Sequence, residues 1–340
     1  MILVTGGTGL VGSHLLYHLA LSNDSILAIY RRKEKLESVK KVFLYYGNNI
    51  DEVFHKIQWI KADITDIPSL SRVFSYPVTK VYHCAALVSF DPSDYKKMRD
   101  ININGTANMI NFSIDFEIEK FCFVSSIAAM GDSLNEKYIN EDNEWSDDGS
   151  QHGYAISKYG AEMEVWRGSQ EGLDVVIVNP GVILGSGFWN EGSGLLFKRV
   201  DNNFKFYTNG IIGFVCVKDV VRAMISLVES SIDNERFILV SENKSFKEIL
   251  TMIAKEFDKK APNVKIGKFF TEFFWRIDWV ITKLSGKKPL LTRNSARSSH
   301  SQSFYTSEKI KQMISHEFTP IAKSIALICQ DYKLKKMNRQ

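Results

Sequence analysis

Tyr154 and Lys158 stand four apart in the run Tyr154-Ala155-Ile156-Ser157-Lys158. On a helix that spacing puts them on one face, one turn from each other. A free phenol ionises near pH ~10 and is a poor base at neutral pH. A neighbouring ammonium favours the phenolate and lowers that value. A tyrosine so placed could give a proton to a carbonyl oxygen or take one from an alcohol. The string YxxxK is common by chance, so its weight comes from its position along the chain.

Near the other end of the chain lies an anion cradle. Thr5-Gly6-Gly7-Thr8-Gly9-Leu10-Val11-Gly12 follows the apolar run Ile2 to Thr5 and opens a helical segment. Gly6 permits the tight turn off a strand, Gly9 a close approach of backbone to a pyrophosphate, and Gly12 close packing of helix on strand. The exposed amides from Gly9 through Leu10, Val11 and Gly12, with the positive end of the helix dipole, would hold the anion. A strand before and an amphipathic helix after are the context in which such a glycine set predicts a dinucleotide. An NAD site normally ends its second strand with a carboxylate for the ribose hydroxyl. Here Ile26 to Tyr30 is followed by Arg31-Arg32-Lys33. A guanidinium suits a 2′-phosphate, so NADP(H) is favoured, with NAD(H) as the alternative.

Apolar runs rich in Val, Ile and Phe predict the strands that must position these groups: Ile2 to Thr5, Ile26 to Tyr30, Ile57 to Ile60, Lys80 to Cys84, Lys120 to Ser125, Asp174 to Val178 and Arg236 to Val240. Several lack polar alternation, as strands covered on both faces do. Helix-period segments alternate with them: Leu10 to Ser22, Lys33 to Tyr46, Ile67 to Phe74, Tyr95 to Phe116, Tyr154 to Gln170 and Asp219 to Glu229. The pattern predicts an α/β Rossmann fold, a doubly wound parallel sheet with right-handed crossovers. Residues 1–180 and 211–244 are assigned to it. Residues 181–210 and 245–325 are assigned to a smaller, sequence-discontinuous substrate domain, and 326–340 to a helix end and a solvated basic tail. The aromatic stretch Phe269, Phe270, Phe273, Phe274, Trp275 and Trp279 reads as core or pocket lining in preference to a lipid-facing surface.

The chain has 43 Lys and Arg against 39 Asp and Glu, a formal charge of +4, which gives no reason to expect nucleic acid as a partner. Cys84, Cys122, Cys216 and Cys329 are far apart and lack metal-ligand spacing, so no metal is expected and reduced thiols are. His83 and His152 read as structural or loop histidines. Ile266 to Leu284 carries too many charges to span a membrane. With a strand at the first residues no leader peptide is expected, and a cytoplasmic protein is.

The GxxGxxG spacing and the form TGGTGLVGSH resemble the extended short-chain dehydrogenase/reductase superfamily, and the resemblance continues over most of residues 1 to 260. It implies that Asp63 and Ile64 border the adenine and that Ala85 and Ala86 pass beneath the nicotinamide ribose. Ser126 matches the catalytic hydroxyl when counted back from Gly131, with Ser125 its strand-end neighbour. Asn102 matches the asparagine that supports the site, or else is an ordinary helix-interior polar contact. Asn179-Pro180-Gly181, continuing into Val182, resembles the loop passing the nicotinamide amide. Phe214 to Asp219 resembles a further family segment, with Asp219 most simply a helix N-cap. A homodimer through the Tyr154 and Tyr95 to Phe116 helices is also implied.

The leading reading is a carbonyl reductase or alcohol dehydrogenase, similar to dihydroflavonol reductase-like and 3β-hydroxysteroid dehydrogenase-like members. A nucleotide-sugar epimerase is the alternative, and a cofactor-binding protein without turnover the third. Dehydration is rejected, because Ser126-Ile127-Ala128 stands where a dehydratase has Thr-Asp-Glu. Pro289 to Arg293 resembles the reductase-like branch. Leu87 to Phe90, Phe188, Trp189 and the helix from Phe269 are expected to wall a pocket for an apolar small molecule.

Overall fold

The structure, a computed structural model, describes all residues except 23–24, 48–49, 132–136, 146–151, 286–291 and 338–340. Pro289 to Leu291, part of the reductase-like match, therefore lie outside the described residues.

Seven strands build the main sheet: β1 (Ile2–Thr5), β2 (Ile26–Tyr30), β3 (Ile57–Lys61), β4 (Lys80–His83), β5 (Lys120–Val124), β6 (Val175–Pro180) and, after three others, β10 (Glu235–Leu239). The spatial order is β10-β6-β5-β4-β1-β2-β3, and every pairing is parallel. The order reverses at β1 and β4, and such a reversal opens a crevice at the carboxyl ends of the strands. All seven predicted strands are present, with shifts of a residue or two at their ends.

Helices cover both faces. On one, α1 (Leu10–Ser22), α2 (Leu36–Tyr46), α3 (Ile50–His55) and α9 (Val217–Glu229) enclose a core with Leu15, Leu16, Phe43, Val220 and Met224. On the other, α4 (Ile67–Phe74), α5 (Tyr95–Met98), α6 (Gly105–Asp115) and α7 (Gly153–Gln170) enclose Leu70, Phe74, Met109, Phe121 and Val165. Between α5 and α6 the chain passes through a π-helical turn, Arg99–Asn104. Such turns are rare and mark positions where a side chain is re-aimed.

A second body is built from a three-stranded sheet, β11-β9-β7, with β7 (Val182–Leu184), β9 (Ile211–Cys216) and β11 (Glu242–Ser245), and a two-stranded pair, β8 (Phe206–Tyr207) with β12 (Val264–Lys265). Around them lie α8 (Gly194–Asp201), α10 (Phe246–Glu256), α11 (Lys268–Ser285), α12 (Arg293–Ser298), α13 (Glu308–Ile314) and α14 (Ile321–Met337). The expected boundary at 211 needs correction here. Residues 211–216 pair with β7 and β11, not with the main sheet, although α9 and β10 belong to it. The helix end expected for residues 326–340 runs further than a short end. Residues 321–337 form one helix that buries Ile325, Ile328 and Cys329. Lys335 reaches Asp331 at 2.9 Å and Lys336 reaches Asp201 at 2.7 Å, so these two charges pin the helix.

Candidate active site

The glycine turn has the geometry its sequence demands. Gly6 sits at φ 67°, in the left-handed region, where a Cβ would come within 2.6 Å of the Ala85 nitrogen. A Cβ on Gly12 would lie 2.3 Å from the Gly6 carbonyl oxygen, so α1 packs directly on the turn. Gly9 is exposed, and the nearest atom to a Cβ there is the Gly6 oxygen at 3.4 Å, which leaves its outer face open. The first turn of α1, with Leu10 and Val11, presents amides that have no partner within the helix. The Thr5 hydroxyl accepts from the Ala85 amide at 3.2 Å and pairs with His83 Nδ1 at 2.6 Å. His83 also pairs with Thr106 at 3.0 Å, and burial lowers its pKa to about 3, so it is a neutral structural link. This cradle fits a dinucleotide: Gly6, Gly9, Leu10, Val11 and Gly12 would hold the pyrophosphate, and Ala85 and Ala86 would lie below the nicotinamide ribose.

At the tip of β2, Arg31 lies 3.7 Å from Asp63, and Arg32 lies 3.9 Å from Glu34; both arginines are exposed. Asp63 also accepts from the amide and hydroxyl of Thr65. Ile64 is 4% exposed, its side chain packs where a Cβ on Gly105 would lie, and its carbonyl accepts from Asn108 at 2.9 Å, so it belongs to the core.

The catalytic candidates converge at the end of β5. Ser126 caps the short turn Ile127–Ala129 by accepting from the Ala128 amide at 3.1 Å. Its hydroxyl lies on the side of Tyr154, at the start of α7, and acts to lower the pKa of that phenol. One turn along α7, Lys158 is 2% exposed and donates to the Val124 carbonyl at 2.8 Å, with its ammonium 4.2 Å from the centre of the Phe123 ring. The predicted depression of the phenol is not found in the free protein. Burial pushes Tyr154 up, the Ser126 hydroxyl offsets this in part, and the ammonium is turned toward the Val124 carbonyl. It is Lys158 that shifts most: burial lowers it from 10.5 to about 7, against the raising influence of Glu162 and Cys84.

Asn102 leaves the π-helical turn and ties three segments together. Its Oδ1 accepts from the Leu87 amide at 2.7 Å, and its Nδ2 donates to the Leu87 carbonyl at 3.0 Å and to Ser157 at 2.9 Å. It thereby braces α7 against the strand-β4 loop, which explains the unusual turn.

Sequence reasoning missed a buried carboxylate beneath this group. Glu162 is 0% exposed, one turn beyond Lys158. It accepts from Ser125 at 2.6 Å and Asn179 at 2.9 Å, and pairs with Arg236 of β10 at 3.1 Å. Arg236 continues to the carbonyls of Glu141 and Asn143, and Glu141 accepts from the Ile238 amide at 2.8 Å. A Glu four after the lysine was a readable signal, because it shares the lysine's helix face. Asn179 also donates to the Ser126 carbonyl at 3.1 Å. Its Oδ1 is buried with no hydrogen-bond partner among the described residues. Gly181 follows Pro180 at the close of β6 and donates to the Leu239 carbonyl at 3.0 Å before Val182 opens β7.

Beside Tyr154 opens a cavity of about 260 Å³, walled by Phe90, Pro92, Tyr95, Met98, His152 and Asn294 among others. Phe90 was expected there. Trp189 is not: it packs on Phe197 and Tyr332 in the second body's core, and Phe188 beside it is 8% exposed and lines no part of this cavity. His152 caps α7, accepting from the Ala155 amide at 3.1 Å. Asp219, read as a cap, is the third residue of α9 and instead clamps the amide and hydroxyl of Thr319 ahead of α14.

Residues 2–239 match the NAD dependent epimerase/dehydratase family. The chain belongs to that family. It is a nicotinamide-dependent enzyme of the reductase, epimerase and dehydratase group. It is similar to a putative dihydroflavonol 4-reductase of Synechocystis sp., with 24% identity over 95% of this chain and 92% of the relative. A cinnamoyl-CoA reductase 2 of Medicago truncatula is 25% identical over 79% of this chain and 83% of its own length. The solved UDP-glucose 4-epimerase of Thermotoga maritima shares the fold at a TM-score of 0.76, with 19% identity and coverage of 98% of this chain and 99% of that one.

Proposed function

We propose that this enzyme reduces a small, largely apolar carbonyl compound, or oxidises the matching alcohol, with NADP(H). The observation that carries the reading is the convergence of Ser126 and Tyr154 at the end of β5, with buried Lys158 one turn away and the glycine cradle at the head of the same crevice. When bound, the nicotinamide supplies or takes up the hydride. The chain's own residues do the rest. Ser126 and Tyr154 hold the substrate oxygen between their hydroxyls. Tyr154 then donates its proton to that oxygen as negative charge grows there, or accepts one in the reverse direction. Lys158, turned from Val124 toward the crevice, stabilises the phenolate left behind. Asn102 keeps α7 at the right height, and Ser125 orients Glu162.

Arg31 and Arg32 at the β2 tip support a 2′-phosphate, and the aromatic and aliphatic walls of the cavity support an apolar substrate. The relatives named as dihydroflavonol and cinnamoyl-CoA reductases favour reduction. The division into a nucleotide-binding body and a substrate body, with the crevice between them, belongs to this reading. So does a homodimer through α7 and the α5–α6 segment, as in the family pattern. Four free cysteines support a reducing, cytoplasmic setting.

Cofactor titration tests the first point: NADPH should bind at least about tenfold more tightly than NADH, the worth of one charge-assisted contact. Tighter NADH overturns it. A screen of ketones and aldehydes, run beside nucleotide-sugar substrates, tests the second. Net NADPH consumption supports the reductase, whereas interconversion of a nucleotide sugar with no net cofactor change replaces it with the epimerase.

A further inference from the structure

Helix α11 is mounted with its apolar side outward. With 3.6 residues per turn, Phe269, Phe270, Phe273, Phe274, Ile277 and Ile281 fall within an arc of about 140°. All six are exposed, from 40% at Ile277 to 80% at Phe269. This corrects the expectation of core or pocket lining for the four phenylalanines, and Trp279 is exposed as well, whereas Trp275 is half-buried. The side turned to the protein carries Thr271, Glu272 and the half-buried Trp275, which donates to Glu272 at 2.9 Å. Thr271 is 5% exposed and its hydroxyl pairs with His300 Nε2 at 2.9 Å, while Glu272 meets Arg297 of α12 at 3.5 Å. A surface helix normally turns its apolar stripe to the core, and a contiguous exposed patch of this kind marks an interaction site.

Charge identifies the partner. Residues 259–297 contain ten lysines and arginines against two carboxylates, a net +8, while the whole chain carries +4. The remainder of the molecule is therefore net −4. Lys260, Lys265 and Lys268 are exposed in the segment leading into α11, Arg276 on α11 itself beside Glu272, and Arg293 at the start of α12. A second copy meeting this face by twofold symmetry would bring like charge against like charge. An anionic lipid surface offers an apolar layer for the phenyl rings and opposite charge for the basic rim at once.

We propose that α11 is an in-plane membrane anchor that lies along an anionic bilayer with its aromatic arc at the boundary of headgroups and acyl chains. No helix among the described residues is long and apolar enough to cross a membrane, so the attachment is peripheral. The inner side of α11 packs on α12, and Asn294 of α12 lines the cavity beside Tyr154, so the anchored face stands one helix from the candidate site. The proposal does not depend on which carbonyl, if any, the enzyme reduces.

The test is flotation of the full-length protein with two kinds of vesicle, phosphatidylcholine alone and phosphatidylcholine with about a third phosphatidylglycerol, at ionic strength near ~0.15 M. The protein should float with the anionic vesicles, and binding should weaken at least about tenfold in ~1 M salt. The double variant Phe269→Ser/Phe273→Ser should lose at least about tenfold in partition, and Lys265→Glu/Lys268→Glu a similar factor. Both should keep the wild-type melting temperature and cofactor affinity. Should the double serine variant melt early, Phe269→Ser alone, at the most exposed position, supplies the comparison. Failure to float with anionic vesicles overturns the proposal, as does flotation indifferent to the aromatic variants. A dimer in sedimentation that the aromatic variants turn into monomer, without vesicle binding, assigns the face to a second copy and equally overturns it.

Discussion

α7 and α11 each run for 18 residues, and they treat polarity in opposite ways. On α7, Ser157, Lys158 and Glu162 are buried, and each has hydrogen-bond or charge partners within the protein. On α11 the four phenylalanines face solvent, while a threonine, a glutamate and a half-buried tryptophan make the inward contacts. Both arrangements cost free energy against the ordinary partition of apolar inside and polar outside. The cost on α7 is offset by a network that holds a lysine and a tyrosine beside a crevice. The cost on α11 is offset only by something outside the chain. Departures from the partition thus locate work, and whether the departing groups are satisfied tells internal work from external.

The largest effect is expected at Tyr154. Tyr154→Phe removes the transferable proton, and turnover should fall by about 10²–10⁴-fold with cofactor affinity nearly unchanged. Steady-state kinetics beside a cofactor titration checks this, and retained turnover would remove α7 from the chemistry. Next is Arg236→Met, which leaves Glu162 buried without its cation. Stripping one partner from such a pair costs about 3–5 kcal/mol, to be read from denaturant melts. A loss below ~1 kcal/mol would mean that the network is no more than a surface pair.

A smaller effect concerns pH. Lys158 ionises at about 7 in the folded protein against 10.5 ordinarily, because burial outweighs Glu162. Between those values the unfolded chain holds the extra proton, so this group's contribution to stability rises with pH across that window. Glu162→Gln removes the influence that raises Lys158. The alkaline fall of kcat/KM in the reduction direction should move down by about one pH unit. A profile left in place, or moved upward, would uncouple the two residues. The smallest effect belongs to α11: Phe269→Ser should change stability by no more than ~0.5 kcal/mol, because the ring is 80% exposed and meets only the edge of the exposed Phe270 ring. A large loss would show that the face is core after all.

The main sheet was legible because its strands are short apolar runs separated by helix-period segments, and β1 through β6 keep that rhythm without interruption. The glycine turn, Ser126, Tyr154 and Lys158 were legible because each must occupy a fixed place relative to a strand end. β9 was not read as a strand, and its residues were placed with the main sheet's segment because an apolar run does not say which neighbour it pairs with. Glu162, Arg236 and Glu141 went unread because their partnership is made by the sheet, which brings together residues up to 95 positions apart. The direction in which α11 faces was misread for a related reason: periodicity reports that a stripe exists, and tertiary contacts decide which way it points.

Gly181 and Gly213 touch where the chain leaves the main sheet for the small one. A methyl group on Gly181 would stand 2.4 Å from the Gly213 oxygen, and one on Gly213 would stand 2.5 Å from a Val240 methyl. Backbones this close act as a rivet, and a rivet transmits load. At this point the two sheets have no room for a side chain between them, and a change as small as glycine to alanine at either residue would force them to shift.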